Sequence, residues 1–169
     1  MADPLITIFT APKPFTNPHI RIIQRNAIHS WSNLGKEVEI LLIGNEEGMA
    51  DVAQEMGVRH LPQVKCNQMG TPLISSMFEL ARKESTSPFL AIINTDILLF
   101  PELISVTKKV AEVLNKFLIV GQRMDINIRE PLVYQQDYFK QLRGYVLEYG
   151  SLHSPFGSDY FVFPRACFM

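Results

Sequence analysis

Short, continuously apolar runs alternate along the chain with longer amphipathic segments. Apolar runs this short are typical of strands that are covered on both faces, as in a parallel sheet. Five of them predict strands at Leu5–Thr10, Val38–Ile43, Phe89–Ile93, Phe117–Val120 and Tyr160–Phe163. The hydrophobic pattern therefore predicts a sheet built mainly from buried strands.

The amphipathic segments carry the start and stop signals of helices. A polar residue before proline marks a helix start, because its side chain caps free N–H groups and proline suits the first turn. Glycine after the apolar stripe is a typical stop. The signals are Asn17-Pro18 with Gly35, Asn45 with Gly57, Thr71-Pro72, and Pro101 for a helix that reaches Leu114. They predict four helices.

Alternating strands and helices indicate βαβ units with right-handed crossovers. We therefore expect an α/β fold, a three-layer α/β/α sandwich around a mostly parallel central sheet, in one domain spanning 1–169. The pattern is less regular after Val120, where one helix is predicted at Tyr138–Leu147. Ligands bind such sheets beyond the carboxyl ends of the strands, so the residues just after each strand are the candidates for a site.

Composition narrows the class of protein and of partner. The chain has 169 residues, of which 47% are hydrophobic and 10% aromatic, so a disordered chain is excluded. Sixteen basic and seventeen acidic residues leave a net charge of −1, which gives no basic surface for nucleic acid or an anionic membrane. We expect neither a transmembrane segment nor a secretion signal. Cys66 and Cys167 fit no disulfide or zinc pattern, so a reduced, cytoplasmic setting is the default expectation.

Several common nucleotide and catalytic motifs are absent from the sequence. It has neither the glycine fingerprint of dinucleotide binding after the first strand nor a Gly-Lys-Ser/Thr phosphate loop nor a Gly-x-Ser-x-Gly elbow. P-loop NTPases are thereby excluded, and dinucleotide enzymes and α/β-hydrolases are disfavoured. The histidines lack the spacing of metal ligands and are interpreted as ordinary surface or partly buried residues: His19, His29, His60 and His153.

The most informative segment is the apolar run Phe89–Ile93, which leads directly into Asn94-Thr95-Asp96. Strand alternation points the side chains of Asn94 and Asp96 the same way at the carboxyl end of that strand. Two oxygen-bearing groups there suit a divalent cation that keeps several waters and bridges a diphosphate. An Asx-turn that ends the strand explains the same residues equally well. Both interpretations stay open on spacing alone.

This layout resembles the GT-A-fold nucleotide-sugar glycosyltransferases, whose Asp-x-Asp signature ends a central strand at about the place of Asn94-Thr95-Asp96. The resemblance implies a Rossmann-like nucleotide-diphospho-sugar transferase fold, with a nucleotide-binding half at 1–121 and an acceptor-side part at 122–169. It implies that Asp96 binds Mn²⁺ or Mg²⁺, with Asn94 as the weaker metal ligand, and that the donor is a UDP- or GDP-sugar. Asn94 stands where the family has Asp, which removes one negative charge.

The same resemblance assigns further positions to the nucleotide. In the family, the ends of the first two strands, the start of the third helix and the signature turn contact the base, ribose and phosphates. The residues so implied are Thr10, Ala11, Pro12, Asn45, Glu46, Gly70, Thr71, Asn94 and Thr95. Arg123, just after the strand that ends at Gly121, is a further candidate for neutralising a phosphate. The residues themselves also allow Asn45 and Thr71 to be helix caps and Arg123 to be a solvated loop charge.

The last part of the chain supplies candidates for the acceptor side. Related enzymes place a Gly-x-Asp before a strand, so the resemblance implies Asp159 as the general base of an inverting transfer, with Asp125 as a rival carboxylate. Each is also explained as a turn or loop residue. Aromatic residues crowd this region and are interpreted as core or as an acceptor cleft: Tyr134, Tyr138, Phe139, Tyr145, Tyr149, Phe156, Tyr160, Phe161 and Phe163.

Three functions follow as hypotheses. The leading one is a glycosyltransferase of the hexosyltransferase class that moves a sugar from a nucleoside diphosphate to an unidentified acceptor. A sugar-1-phosphate nucleotidyltransferase has a related fold, but its loop after the first strand normally contains several glycines and an arginine, where Thr10–Phe15 offers only Lys13. The third is a non-catalytic or truncated nucleotide-binding domain. Members of the family usually continue beyond the equivalent of Arg165–Met169, so we expect the acceptor part to be incomplete.

Overall fold

The structure is a computed structural model that describes residues 3–167. The strands are β1 (Ile6–Thr10), β2 (Val38–Ile43), β3 (Arg59–Leu61), β4 (Phe89–Ile93), β5 (Ile119–Gln122), β6 (Met124–Asp125), β7 (Ser151–Leu152) and β8 (Ser158–Pro164). The helices are α1 (Pro18–Ser32), α2 (Met49–Met56), α3 (Ile74–Glu84), α4 (Glu102–Val113) and α5 (Tyr138–Tyr149). The expectation of an incomplete acceptor part rests in part on Phe168 and Met169, which lie outside the described residues.

Six strands form the central sheet, in the order β3-β2-β1-β4-β8-β5. β1 pairs in parallel with β2 and β4, and β2 pairs in parallel with β3. β8 lies between β4 and β5 and runs antiparallel to both, so β5 has the same direction as β4. Five of the six strands therefore share one direction, and the predicted mostly parallel sheet is confirmed.

Helices cover both faces of this sheet. On one face, β1, β4 and β8 pack against α1, α2 and α4, with Trp31, Met49 and Ile104 in the shared core. On the other face, the same strands pack against α3 through Met77 and Ala81. The predicted three-layer α/β/α sandwich is confirmed. No helix among residues 3–167 is long and apolar enough to cross a membrane.

Two of the predicted helix starts are confirmed. The Asn17 side-chain oxygen caps α1, since it accepts hydrogen bonds from the backbone N–H groups of His19 at 2.9 Å and Ile20 at 3.1 Å. Pro101 immediately precedes the first helical residue of α4, as predicted. These starts depend on residues next to each other in the chain, which is why the local sequence predicts them.

Two other predicted caps are wrong. α2 begins after Gly48 rather than after Asn45, because the chain packs against Phe15: a Cβ on Gly48 would lie 3.1 Å from the Phe15 Cβ, and the glycine has a φ of +82°. Thr71 closes a loop instead of capping α3. Its N–H donates to the Asn67 side chain at 3.0 Å, and its carbonyl accepts from the Asn67 N–H at 2.9 Å.

The final third departs most from the prediction. β5 lies two residues further along the chain than the predicted Phe117–Val120, because the segment that pairs with β8 is Ile119–Gln122. The short edge strand β3 and the β6–β7 pair were not predicted, since two or three residues carry no hydrophobic pattern. β8 belongs to the predicted acceptor-side part, yet it forms an inner strand of the central sheet.

Candidate functional site

The turn after β4 presents two polar side chains to solvent around a buried threonine. Asn94 and Asp96 are exposed, whereas Thr95 is buried and its hydroxyl lies 2.7 Å from the hydroxyl of Thr10 at the end of β1. This hydrogen bond joins the carboxyl ends of β1 and β4. Within residues 3–167, no hydrogen bond or ion pair engages the Asp96 carboxylate. Asp96 is therefore an accessible oxygen ligand at the edge of the sheet where ligands bind.

A cleft of about 360 Å³, the β1–β4 cleft, opens at this edge and is bounded by α1 and α3. Its walls include Thr10, Ala11, Lys13 and Asp96. Gln24 of α1 is 3% exposed and accepts a hydrogen bond of 2.7 Å from the Lys13 N–H while donating one of 2.9 Å to the Lys13 carbonyl. These two hydrogen bonds hold the loop after β1 in position as one wall of the cleft.

Six residues predicted to contact the nucleotide do not line this cleft. One is Arg123, described below, and the other five are Pro12, Asn45, Glu46, Gly70 and Thr71. Pro12 is buried, Glu46 is half-buried, and the other three are exposed on loops. Their assignment to the nucleotide stays a prediction.

Beside Asn94 lies a group of interacting side chains, the Arg123 cluster, made of Asn94, Arg123, Asp125, His153 and Asp159. The nearly buried Asp159 carboxylate accepts a hydrogen bond of 3.0 Å from Asn94 Nδ2 and one of 2.5 Å from Arg123 Nη1. Arg123 Nε also donates to Asp125 at 2.7 Å. The other Asp125 oxygen lies 2.6 Å from His153 Nδ1. The structure thus brings four predicted residues together and adds His153.

Hydrogen bonding within the cluster favours its charged forms. Hydrogen bonds from Arg123, and then from His153, lower the pKa of Asp125 below its ordinary range. Hydrogen bonds to Asp125 and Asp159 raise the pKa of Arg123. Opposite charges therefore face each other in this cluster at neutral pH.

Backbone pairing brings the cluster members together from distant parts of the chain. The Asn94 N–H donates to the Asp159 carbonyl at 2.9 Å, extending the antiparallel β4–β8 ladder. Next to the β6–β7 pair, the His153 N–H donates to the Arg123 carbonyl at 3.0 Å. His153 and Arg123 are thirty residues apart, so no local sequence signal reveals their contact.

Two glycines leave room for side chains at the site. A Cβ on Gly157 would lie 2.4 Å from Cδ2 of His153, so only glycine fits beside that ring. A Cβ on Gly121 would lie 1.6 Å from Cζ of Tyr160, its partner across the β5–β8 ladder. The Tyr160 ring occupies the space where a Gly121 side chain would lie, and burial raises the pKa of its hydroxyl.

A second and larger cavity of about 590 Å³, the α4–α5 cavity, lies on the other side of Asp96. It is bounded by α1, α4, α5 and the 122–128 segment. Asp96 and Ile23 line both this cavity and the β1–β4 cleft, so the two spaces meet at these residues. Of the aromatic residues predicted to be core or cleft, Tyr160 lines this cavity, Tyr138 and Phe163 are buried, and Phe156 is 98% exposed.

Comparison with known proteins identifies the architecture. No family model and no curated protein matches the sequence. A solved structure described as a nucleotide-diphospho-sugar transferase, from Desulfovibrio desulfuricans G20, matches 100% of this chain and 66% of its own length, with a TM-score of 0.53 and 11% identity. Glucosyl-3-phosphoglycerate synthase from Mycobacterium tuberculosis, solved with Mg²⁺ and UDP, matches 97% of this chain and 57% of its own, with a TM-score of 0.53 and 14% identity.

The chain has the GT-A-like fold of nucleotide-diphospho-sugar transferases. A nucleotidyltransferase shares the architecture: 4-diphosphocytidyl-2C-methyl-D-erythritol synthase from Anaerococcus prevotii DSM 20548 matches 96% of this chain and 72% of its own, with a TM-score of 0.52 and 14% identity. The present chain spans about three fifths of the length of the first two structures, at 66% and 57%. At these identities the likeness establishes the fold and leaves the reaction to be argued from the site.

In this GT-A-like fold, the residues after β4 fit one form of metal binding. Residues 3–167 contain no group of three or more His, Cys, Asp or Glu side chains arranged to hold a metal ion. Mg²⁺ commonly keeps several waters and takes one or two carboxylates together with substrate phosphates. The exposed Asp96 carboxylate suits that arrangement, and the exposed Asn94, two residues earlier, carries a further side-chain oxygen. The donor set therefore fits a cation that arrives with a diphosphate.

Proposed function

We propose that the protein is a glycosyltransferase that moves a sugar from a nucleoside diphosphate to an acceptor hydroxyl. The observation that carries this proposal is the position of Asp96, whose carboxylate lies where the β1–β4 cleft and the α4–α5 cavity meet. A transferase needs two binding spaces that share one reacting centre. The donor would occupy the β1–β4 cleft, at the edge where this class of sheet binds ligands.

Asp96 would hold the donor diphosphate through Mn²⁺ or Mg²⁺, with Asn94 as a second contact. When bound, the metal would offset the negative charge that develops on the departing diphosphate. Lys13 also lines the cleft and adds a positive charge near the same space. Gln24 hydrogen-bonds to the Lys13 backbone, so the backbone that carries this charge is held in place. A UDP- or GDP-sugar is the proposed donor.

Asp159 is the proposed general base that takes the proton from the hydroxyl of the acceptor substrate. Asp125 is the alternative candidate for that role. In the transfer, the acceptor oxygen bonds to the sugar carbon, the bond to the diphosphate breaks, and the hydroxyl proton passes to the carboxylate. Arg123 covers one oxygen of Asp159 at 2.5 Å, so that oxygen is reachable only when Arg123 moves away. Asp159 lines neither the β1–β4 cleft nor the α4–α5 cavity, whereas Arg123 and Asp125 line the cavity, so a base at Asp159 would require this rearrangement when the acceptor binds.

A nucleotidyltransferase is the second candidate, because a synthase of that class shares the fold. It would bind a nucleoside triphosphate at the same edge of the sheet. The loop Thr10–Phe15 contains no glycine to bring its backbone close to a triphosphate, which favours the glycosyltransferase. A non-catalytic nucleotide-binding domain is the remaining alternative, and turnover separates it from both enzymes.

Sugar transfer is tested with a panel of UDP- and GDP-sugars in the presence of Mn²⁺, measuring release of the nucleoside diphosphate. Asp159→Asn should lower the rate by about 10²-fold or more, as expected for loss of a general base. Asp125→Asn removes a carboxylate of the same cluster and should retain most of the rate. Equal losses in the two variants would argue against Asp159 as the base. Turnover of a nucleoside triphosphate in place of a nucleotide sugar would favour the second candidate.

A further inference from the structure

The α4–α5 cavity is lined by more apolar than polar residues. Its volume of about 590 Å³ falls within the range of roughly 300–1,000 Å³ that is usual for small-molecule sites. More than half of the residues on its walls are apolar, most of these are aliphatic, and they come from several elements. Examples are Ile23, Leu103, Val106, Ile126, Leu142 and Val146. An apolar group seated against these side chains is removed from water, so this part of the wall favours an apolar portion of a ligand.

Charged side chains at the rim of this cavity pair with each other. Arg143 hydrogen-bonds to Glu102 and lies 4.8 Å from the centre of the Phe100 ring. Arg123 donates to Asp125 at 2.7 Å. Both arginines are therefore neutralised by acidic neighbours. A phosphate or carboxylate that binds either arginine would have to displace its acidic partner, which disfavours an anionic ligand there.

We propose that the α4–α5 cavity binds the apolar part of the acceptor, a neutral alkyl or aryl group that carries the hydroxyl to be glycosylated. The inference rests on the proposed function and names the class of acceptor. Asp96 lines both spaces, so a hydroxyl at the head of a chain seated in the cavity faces the donor. The substrate class is thus an amphipathic, uncharged alcohol or glycoside.

The first test compares two glycosides that differ only in their apolar tail. Octyl β-D-glucopyranoside, below its micellar concentration, and methyl β-D-glucopyranoside are titrated calorimetrically into the full chain without nucleotide. Each buried CH₂ adds to binding, so the octyl compound should bind about a hundredfold more tightly. Equal binding of the two compounds, or binding of neither, would overturn the inference.

The second test fills the cavity from one helix and uses the same helix as a control. Val106 lines the cavity, whereas Val113, also on α4, is 81% exposed and lies outside it. Val106→Phe should weaken octyl glucoside binding by about tenfold or more, and Val113→Phe should leave it unchanged. Circular dichroism of both variants verifies that they fold. Equal weakening by both substitutions would place the octyl chain elsewhere and overturn the inference.

A separate titration with UDP and GDP in the presence of Mn²⁺ distinguishes the two proposals. Nucleotide binding without octyl glucoside binding overturns the apolar acceptor and leaves the proposed function standing. Octyl glucoside binding without binding of either nucleotide overturns the proposed function and with it the acceptor role. Binding of both, with the Val106→Phe effect, supports the inference.

Discussion

The β1–β4 edge and the Arg123 cluster border the same site but are positioned by different interactions. At the edge, Thr10 and Thr95 are buried and hydrogen-bond to each other at the ends of two paired strands of the core. In the cluster, the side chains of Arg123, Asp125 and Asp159 hold one another through charged hydrogen bonds. The edge therefore depends on packing, whereas the cluster depends on charge and on a few close contacts.

This difference has consequences for what each region can do. A wall fixed by buried strands keeps its shape when a ligand arrives, which suits recognition of a nucleotide. Charged side chains that hold one another depend on protonation and on each partner being present, so this region responds to pH and to single substitutions. The following predictions test this division, beginning with the largest expected effect.

Gly121→Ala tests whether the close packing of β5 against β8 positions the acceptor-side part of the chain. The added Cβ would meet the Tyr160 ring at 1.6 Å, so the ring must move, and we expect a loss of roughly 3 kcal/mol from the free energy of unfolding. Gly144→Ala is the control, because nothing outside the neighbouring backbone of α5 lies within 4 Å of its Cβ position. There alanine should stabilise by about 0.5–1 kcal/mol. Urea unfolding measures both, and an unchanged stability of Gly121→Ala would contradict the packing.

Thr10→Val tests the buried hydrogen bond at the β1–β4 edge. Valine keeps the shape of threonine but removes the 2.7 Å hydrogen bond to Thr95, and we expect a loss of about 1.5 kcal/mol. Thr86→Val, at an exposed position, should change the free energy of unfolding by less than about 0.5 kcal/mol. Comparable losses in the two variants would show that the edge does not depend on this hydrogen bond.

The charge dependence of the Arg123 cluster is tested by titration. Because hydrogen bonds lower the pKa of Asp125 below its ordinary value of 3.8, its contribution to stability is present above that pH and is lost as pH falls through the lower folded value. NMR of the carboxyl carbon should give a midpoint below 3.8 in the native chain. Arg123→Met should raise that midpoint. A native midpoint at or above the ordinary value would show that the cluster does not form in solution.

Much of the edge could be predicted from the sequence, because its signals are local. An apolar run that ends in Asn94-Thr95-Asp96 shows both a buried strand and polar groups at its carboxyl end. Asn17 before Pro18 likewise identifies the start of α1 correctly. Local signals fail where tertiary packing decides the conformation, as at Asn45, where the chain packs on Phe15 before α2 begins.

The cluster could be predicted only in part. Arg123, Asp125 and Asp159 attract notice as charges near predicted strands, yet nothing in the sequence pairs them. Their contacts depend on an antiparallel strand between β4 and β5 and on the two-residue β6–β7 pair. The β6–β7 pair also determines the position of His153. Pairings of this kind are set by residues far apart in the chain, so only the folded structure reveals them.

Calorimetric titration of UDP and GDP, with and without Mn²⁺, into the native chain and Asp96→Asn tests the proposed donor site most directly. We predict Mn²⁺-dependent binding of one of the two nucleotides, and at least tenfold weaker binding in Asp96→Asn, equivalent to about 1.4 kcal/mol. Asp137→Asn, at an exposed position before α5, should bind as the native chain does. Binding that is equally strong in Asp96→Asn, or no binding of either nucleotide to the native chain, would contradict a donor site at the end of β4.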